Sequence, residues 1–254
     1  MSNERRVALV TGAARRIGRA IAEDLAEAGF AVAIHCNRSR ADADTLAASI
    51  RARGGHATVI AADLADLARV PAIVAEAAEA LGPPTLLVNN ASIFEADGIG
   101  AFDAALFQRQ LAVNLTAPVL LADAFAAALP EREQGLVVNI VDQRAWKPTP
   151  YYMSYQLSKS GLLTATRTLA QALAPRIRVN AIGPGPTVAS TRQDADDFRR
   201  QAEAVPLRHG PELSEFGRTI TYLYETRSIT GQMIALDGGQ HLAWETPDVV
   251  GIKE

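Results

Sequence analysis

The sequence predicts a single doubly wound α/β domain, with a parallel β-sheet of about seven strands and helices on both faces. Seven short apolar runs rich in Val, Ile and Leu recur along the 254 residues, and longer segments with helical spacing separate most of them. Such an alternation is typical of βαβ units, whose right-handed crossovers build a parallel sheet. No Pro/Gly/Ser-rich linker interrupts the sequence, so we expect residues 1–254 to form one domain.

The predicted strands follow one another at regular intervals along the chain. They cover residues 7–10, 31–35, 57–61, 86–89, 136–141, 178–182 and 233–236. Helical spacing is clearest over residues 20–28, 73–81 and 117–129. Ligands of open parallel sheets bind outside the carboxyl ends of the strands. We therefore expect the functional residues to lie directly after the strands.

Composition and charge restrict the class of partner. Hydrophobic residues make up 48% of the chain and charged residues 21%, which is the balance of a globular protein with a full core. The net charge of −3 gives no general attraction to nucleic acid, so we expect a small-molecule partner. Cys36 is the only cysteine, which excludes an intrachain disulfide and a cysteine metal cluster. The apolar run near the N-terminus is too short for a signal peptide or a membrane span, so we expect a cytoplasmic protein without a membrane partner.

The segment after the first predicted strand has the pattern of a phosphate-binding turn. It reads Thr11-Gly12-Ala13-Ala14-Arg15-Arg16-Ile17-Gly18. Its two glycines let the backbone turn tightly and direct amide N–H groups and a helix N-terminus at a pyrophosphate. The pattern predicts a Rossmann-type dinucleotide site that includes Gly12, Arg16, Ile17 and Gly18. Arg16 replaces the middle glycine of the full fingerprint, and a plain strand-to-helix turn is the alternative interpretation.

The end of the second predicted strand bears on the choice between NAD and NADP. It reads His35-Cys36-Asn37-Arg38-Ser39-Arg40 and contains no acid. A carboxylate here would pair with the ribose hydroxyls of NAD, whereas cations accept the extra phosphate of NADP. We therefore predict NADPH/NADP+ as the cofactor, with Arg38 and Ser39 at its 2′-phosphate and His35 beside them. After the third strand, Asp63 and Leu64 are expected at the adenine, although Asp63 could equally cap the following helix.

A tyrosine and a lysine stand four residues apart on a later predicted helix. Tyr155 and Lys159 share one helix face at this spacing, and no other tyrosine is followed four residues later by lysine. An ammonium beside a phenol is expected to lower the pKa of the phenol and make it a proton donor near neutral pH. An exposed Tyr–Lys pair on an amphipathic helix is the alternative.

Several other segments accompany this pair. They are Asn89-Asn90-Ala91, Asn114, Tyr155-Gln156-Leu157-Ser158-Lys159 and Pro184-Gly185. Over nearly its whole length the chain resembles the classical short-chain dehydrogenases/reductases. The resemblance implies that Lys159 holds the nicotinamide ribose and that Asn114 supports a proton-relay water. It also implies a homotetramer, in which we expect the tail 244–254 to pack on a neighbouring subunit. The residues that it further assigns to the cofactor are Asn90, Ala91, Pro184 and Gly185.

Asp142 departs from the pattern of that family. The family has a serine thirteen residues before the tyrosine, which hydrogen-bonds the substrate carbonyl, and here this position is Asp142. An ionised carboxylate opposes the negative charge that builds on a ketone oxygen, whereas a carboxyl group can protonate the nitrogen of a C=N bond. The residue therefore predicts an imine-like substrate, to which Asp142 and Tyr155 deliver the proton. A degenerate, non-catalytic site is the alternative.

Further features accompany this aspartate. They are Arg16 in the glycine turn, His35 with Arg38-Ser39, and Asn90-Ala91-Ser92-Ile93-Phe94. With Asp142 they resemble the pteridine reductases and the related bacterial dihydromonapterin/dihydrofolate reductases. The resemblance implies that Arg16 lies between pyrophosphate and substrate, that Ser92 contacts cofactor and pterin, and that Phe94 stacks on the pterin ring. We expect residues 188–211 to form a lid segment over the substrate.

The sequence leaves three functions open. The first is an NADPH-dependent reductase of a pterin or a similar C=N-containing heterocycle. The second is a reductase or dehydrogenase of ordinary carbonyl or alcohol substrates, in which Asp142 is a tolerated change. The third is a non-catalytic NADP-binding scaffold or regulatory protein.

Overall fold

The computed structural model describes residues 6–189, 193–247 and 249–252, which form a seven-stranded, all-parallel β-sheet. The strands are β1 (Val7–Val10), β2 (Ala31–Cys36), β3 (Ala57–Ala61), β4 (Leu86–Asn89), β5 (Gly135–Ile140), β6 (Ile177–Pro184) and β7 (Met233–Leu236). The predicted α/β fold with a parallel sheet is therefore confirmed. The strand ends differ slightly from the prediction, most of all in β6, which extends to Pro184.

The order of the strands creates a crevice at one edge of the sheet. The order is β3-β2-β1-β4-β5-β6-β7, so the chain moves outward from β1 in one direction and then continues from β4 in the other. The adjacent strands β1 and β4 are fully buried, as expected for strands covered on both faces. The direction reverses between β1 and β4, and ligands of such sheets bind at the carboxyl ends of the strands next to this point.

Helices cover both faces of the sheet. They are α1 (Arg16–Glu27), α2 (Arg40–Ala52), α3 (Val70–Leu81), α4 (Ala104–Leu111), α5 (Ala117–Ala128), α6 (Met153–Leu173), α7 (Ala195–Glu203) and α8 (Leu213–Glu225). Helices α1, α2 and α8 bury Leu25, Leu46 and Phe216 in the core on one face. On the other face, α3 and α5 bury Ile73 and Phe125. Helix α7 buries none of its residues and lies outside this core.

Helix α1 begins earlier than the predicted residue 20. It begins at Arg16, so Gly18 belongs to its first turn. This turn closely approaches the preceding loop, because a Cβ atom on Gly18 would lie 2.3 Å from the carbonyl oxygen of Gly12. The second half of the glycine pattern is therefore helix and not loop.

One helical stretch of the described residues is long and apolar enough to span a membrane by length and composition alone. It runs over Ala104–Ala128 and comprises α4, a π-helical turn (Ala112–Thr116) and α5. Its residues Leu121, Ala122 and Phe125 are fully buried against the sheet and α3. Such burial is typical of a core helix in a globular protein.

Candidate active site

Two adjoining cavities lie at the carboxyl ends of the strands. The larger has a volume of about 780 Å³ and lies beyond β4, β5 and β6, and the smaller, of about 370 Å³, lies beyond β1, β2 and β3. Both are lined by Arg16, Ile17, Asn90 and Ser92. The two cavities therefore meet at the glycine turn and form one cleft along the edge of the sheet.

The cleft brings most of the predicted site residues together. Those that line the larger cavity are Arg16, Ile17, Asn90, Ser92, Phe94, Asp142, Tyr155, Lys159, Pro184 and Gly185. Those that line the smaller cavity are Gly12, Arg16, Ile17, Gly18, His35, Asp63, Leu64, Asn90, Ala91 and Ser92. Three predicted residues line neither cavity, namely Arg38, Ser39 and Asn114.

Tyr155 and Asp142 are joined directly at the wall of the larger cavity. The hydroxyl of Tyr155, in the first turn of α6, donates to Asp142 Oδ2 over 2.8 Å. Asp142 follows β5 in extended backbone conformation, and its Oδ1 accepts from the backbone N–H of Arg144 over 2.9 Å. One carboxylate oxygen is thus fixed by the backbone, while the other holds the phenol.

The expected lowering of the Tyr155 pKa is wrong for this arrangement. Burial raises the pKa of the phenol well above its ordinary value, and the Asp142 charge and hydrogen bond raise it further. Lys159 does not offset this, because its Nζ atom lies 5.7 Å from the centre of the Tyr155 ring and donates to the carbonyl oxygen of Ile140 over 2.7 Å. The phenol therefore stays protonated, with its hydrogen directed at Asp142.

Lys159 is itself almost fully buried. Its side chain is 2% exposed, and burial lowers the pKa of the ammonium to about 8, against an opposing effect of the Asp142 charge. Desolvation disfavours the charged form of an amine, which explains the direction. The lysine therefore changes charge much closer to neutral pH than a lysine at the surface.

Asn114 occupies the centre of the π-helical turn and is fully buried. Its Nδ2 donates to the Ile93 carbonyl oxygen and to Ser158 Oγ, over 2.9 and 3.0 Å. Its Oδ1 accepts from the Ile93 N–H and from Ser92 Oγ, over 2.8 and 3.2 Å. These contacts of the amide tie the loop after β4 to α6, and the support of a proton-relay water by Asn114 stays a prediction. π-Turns are often found at functional sites.

An aromatic wall forms another side of the larger cavity. The rings of Phe94 and Tyr152 stack with their centroids 4.4 Å apart, and Phe94 meets Tyr155 edge-on at 4.6 Å. The guanidinium of Arg144 lies 5.6 Å from the Phe94 centroid and 5.7 Å from that of Tyr152. Tyr152 has a left-handed backbone, with φ of 57°, which is unusual outside glycine and is a recurrent feature of functional sites.

His35 is hydrogen-bonded to the glycine turn. It is 1% exposed, and its Nδ1 accepts from the backbone N–H of Gly12 over 3.2 Å. Its Nε2 therefore carries the hydrogen and donates to the Ala62 carbonyl oxygen over 3.1 Å. Burial lowers the pKa of this imidazole to about 4. The ring thus links the turn after β1 to the end of β3 as a neutral group.

Arg16 joins the glycine turn to the start of the lid segment. It has φ of 54°, and its guanidinium donates to the carbonyl oxygens of Val188 and Ala189 over 2.9 and 3.0 Å. Within the predicted lid 188–211, residues 190–192 lie outside the described residues. The described part contributes further lining to the larger cavity, namely Gln193, Asp197, Phe198 and Gln201.

The predicted residues that follow β2 and β3 differ in accessibility. Arg38 is exposed, and Ser39 is half-buried and directly precedes α2. Asp63 accepts from the Ala65 N–H over 2.9 Å and from Arg109 over 3.0 Å. The Ala65 hydrogen bond lowers the pKa of this carboxyl group. Asp63 therefore caps the turn that contains Ala65. This turn lies before α3, so Asp63 does not cap the following helix, as the alternative interpretation assumed.

Some lining residues were not predicted from the sequence. Among them are Arg15 and Asn37 in the smaller cavity, and Gln143, Arg144, Tyr152, Thr187 and Gln240 in the larger one. Arg15, Asn37 and Gln143 are direct neighbours of predicted residues, so the sequence could have indicated them. The others lie in segments without strand or helix periodicity.

This fold and the paired tyrosine and lysine in the cleft define a dinucleotide-dependent oxidoreductase. The family model described as short chain dehydrogenase matches residues 6–200, and the chain belongs to that family.

Solved and characterised relatives are similar over nearly the whole chain. Crystal structures of FolM alternative dihydrofolate reductase 1 complexed with NADP come from Brucella canis and Brucella suis. The first has 59% sequence identity and a TM-score of 0.95, and covers 97% of this chain and 98% of its own. The second has 60% identity and a TM-score of 0.95, and covers 98% of this chain and 100% of its own. The 3-oxoacyl-(acyl-carrier-protein) reductase FabG of Staphylococcus epidermidis is 30% identical over 240 residues, or 92% of this chain and 98% of the relative.

Proposed function

We propose that the protein is an NADPH-dependent reductase of a pterin, acting on a C=N bond of the dihydropterin or dihydrofolate type. The observation that carries the proposal is the 2.8 Å hydrogen bond between Tyr155 and Asp142 at the cavity wall. It places a carboxyl group, in place of a serine hydroxyl, beside the tyrosine of this family. The similarity to two NADP-complexed FolM alternative dihydrofolate reductases supports the same substrate class and the same cofactor.

The residues of the cleft fit a dinucleotide with a 2′-phosphate. Gly12 and Gly18 let the turn pack closely at the N-terminus of α1, where a Cβ atom on Gly12 would lie 2.9 Å from Ala91 Cα. The exposed Arg38 and the half-buried Ser39 stand at the end of β2, where they offer a cation and a hydroxyl to the phosphate. NADPH supplies a hydride from its nicotinamide ring when bound.

Proton delivery would run through Asp142, with Tyr155 as its hydrogen-bond partner. A C=N bond that accepts a hydride at carbon needs one proton at nitrogen, and the protonated form of the Asp142 carboxyl group would be the donor at the cavity wall. The Tyr155 hydroxyl donates to Asp142 Oδ2, so it would stabilise the carboxylate that forms when Asp142 gives up its proton, which solvent in the cleft would then restore. Ser92 and Phe94 would orient the flat ring, and Asn114 would hold both the Ser92 loop and α6 in register.

A substrate panel tests the proposal. With NADPH in excess, we expect reduction of dihydrobiopterin or dihydrofolate and little reduction of simple ketones. A preference for ketones would instead favour the carbonyl reductase function. NADPH binding without any turnover, unaffected by Tyr155→Phe, would favour the scaffold function. For the proposed enzyme, Tyr155→Phe should remove most of the rate, because the phenol hydrogen is lost from the Asp142 hydrogen bond.

We further propose that the protein is a cytoplasmic homotetramer. The described part of the tail exposes Trp244, Val249, Val250 and Ile252, which are apolar side chains that a neighbouring subunit could cover. Residues 248, 253 and 254 of the predicted tail lie outside the described residues. Light scattering measures the mass directly, and a monomeric mass would refute this role of the tail.

A further inference from the structure

Arg144 lines the larger cavity on a rigid support. Its backbone N–H donates to Asp142 Oδ1 over 2.9 Å, and its carbonyl oxygen accepts from Gln156 Nε2 of α6 over 2.8 Å. Its guanidinium lies beside the stacked rings of Phe94 and Tyr152. The two hydrogen bonds fix the backbone of Arg144, and the two aromatic rings restrict the orientation of its side chain. The side chain therefore loses less conformational entropy when it binds a ligand.

The other charged groups that line this cavity are already engaged by the protein. The Arg16 guanidinium donates to two lid carbonyls, and the Lys159 ammonium donates to Ile140. Asp142 accepts from Tyr155 and from the backbone, and Asp197 pairs with Arg200 on α7. The Arg144 guanidinium, in contrast, forms no ion pair and no hydrogen bond with any residue of the described ranges.

We propose that Arg144 is a specificity-determining residue that binds a carboxylate on the substrate. A guanidinium presents a planar fork of N–H donors that matches the geometry of a carboxylate. The guanidinium of Arg144 lies at the edge of the aromatic wall on which a flat ring would stack. The proposal rests on the proposed function and extends it. The preferred substrate is a pterin whose side chain carries a carboxylate, as in dihydrofolate, in preference to a pterin with an uncharged side chain.

Two substrates with the same reducible ring test this inference. Dihydrofolate carries the carboxylates of its glutamate, whereas dihydrobiopterin has an uncharged side chain. We expect Arg144→Gln to raise the KM for dihydrofolate about tenfold or more, since a charge-assisted hydrogen bond is lost. The KM for dihydrobiopterin should rise much less, so the ratio of the two KM values is the quantity that tests the inference. Arg144→Lys should give an intermediate KM, because it keeps the charge but not the fork.

Lys147→Gln is the matched control. It removes one positive charge from the same loop, but Lys147 is exposed, donates to the Ala243 carbonyl oxygen and does not line the cavity. Its KM values should equal those of the wild type. Higher salt should also raise the wild-type KM for dihydrofolate more than that for dihydrobiopterin.

Two results would overturn the inference, namely an equal rise of KM for both substrates and no rise for either. Failure of the proposed function looks different, because the wild type would then reduce neither substrate. Calorimetric titration of the enzyme–NADP+ complex with folate and with biopterin still tests Arg144 in that case. We expect Arg144→Gln to weaken the binding of folate alone.

Discussion

The imidazole of His35 accepts a hydrogen bond of 3.2 Å from the backbone N–H of Gly12, and this contact ties the phosphate-binding turn to the end of β2. Nδ1 can accept only while the ring is neutral. Burial lowers the pKa of His35 from 6.5 to about 4, so folding favours the neutral form. The contribution of neutral His35 to the free energy of unfolding is complete above pH 6.5 and is lost as the pH falls towards 4.

We expect His35 to make the folded protein sensitive to acid. From pH 7 to pH 5 its contribution to the free energy of unfolding should fall by about 2 kcal/mol. Urea unfolding at both pH values measures the change. His35→Gln does not titrate, so its stability should depend less on pH by this amount. The control is His56→Gln, at an exposed position, which should behave like the wild type. Equal pH dependence of wild type and His35→Gln would contradict the prediction.

Gly18→Ala should destabilise the protein, although alanine normally favours a helix over glycine. The added Cβ would lie 2.3 Å from the Gly12 carbonyl oxygen and 2.4 Å from Asn90 Nδ2. Such overpacking costs about 1–3 kcal/mol in unfolding free energy, and the displaced turn should also bind NADPH more weakly. Chemical unfolding and fluorescence titration with NADPH measure both effects.

Gly98→Ala is the control for this substitution. Its Cβ would have one neighbour within 4 Å, the Pro150 carbonyl oxygen at 3.9 Å. We expect neither stability nor NADPH affinity to change. If Gly18→Ala were as stable as the wild type, the turn would be able to shift, and its close packing would not explain the glycine.

The sheet, the family and the residues of the cleft were predictable because their signals are local. Each buried parallel strand is a short apolar run, and Gly12, Tyr155 and Lys159 stand at spacings that define a turn or one helix face. The prediction of NADPH from the end of β2 agrees with the NADP in both Brucella structures. The catalytic and binding roles of individual residues stay predictions.

What the sequence did not predict depends on contacts between distant segments. The spacing of Tyr155 and Lys159 does not reveal how deeply the phenol is buried, and burial is the main cause of its raised pKa. Arg144 and Tyr152 belong to the cavity because a short 3-10 turn follows Asp142 and because Tyr152 adopts a left-handed backbone. Neither feature produces a repeating pattern of apolar residues by which it could be recognised in the sequence.

Lys159 should titrate near pH 8 in the free protein, because burial lowers its pKa to about that value. The chain has only three lysines, so the signals of labelled lysine side chains can be followed singly by NMR as a function of pH. Lys159→Met should remove the signal that titrates near pH 8, whereas Lys147→Met should leave it in place. A signal from Lys159 that titrates above pH 10 would show that the ammonium is solvated.

The lowered pKa of Lys159 also affects stability at high pH. The unfolded chain binds a proton at this lysine up to its ordinary pKa of 10.5, whereas the folded chain releases it at about 8. The free energy of unfolding should therefore rise with pH between these values, as far as this residue contributes. Comparison of wild type and Lys159→Met by urea unfolding at pH 7.5 and pH 9.5 isolates the contribution. A contribution from Lys159 that does not change with pH would contradict the lowered pKa.

Substitutions of Asp142 test whether its carboxyl group sets the reaction type. Asp142→Asn retains Oδ1, so the hydrogen bond from Arg144 and the local fold should persist, but the group can no longer donate a proton. The kcat for a dihydropterin should therefore fall by about 10²–10⁴-fold, which is typical of the loss of a general acid. Asp142→Ser restores the residue found in most of the family, and we expect it to favour ketones over pterins. Steady-state kinetics with both substrate classes measures the change, and the melting temperature checks the fold. Wild-type pterin turnover by Asp142→Asn would mean that the proton reaches the substrate by another route.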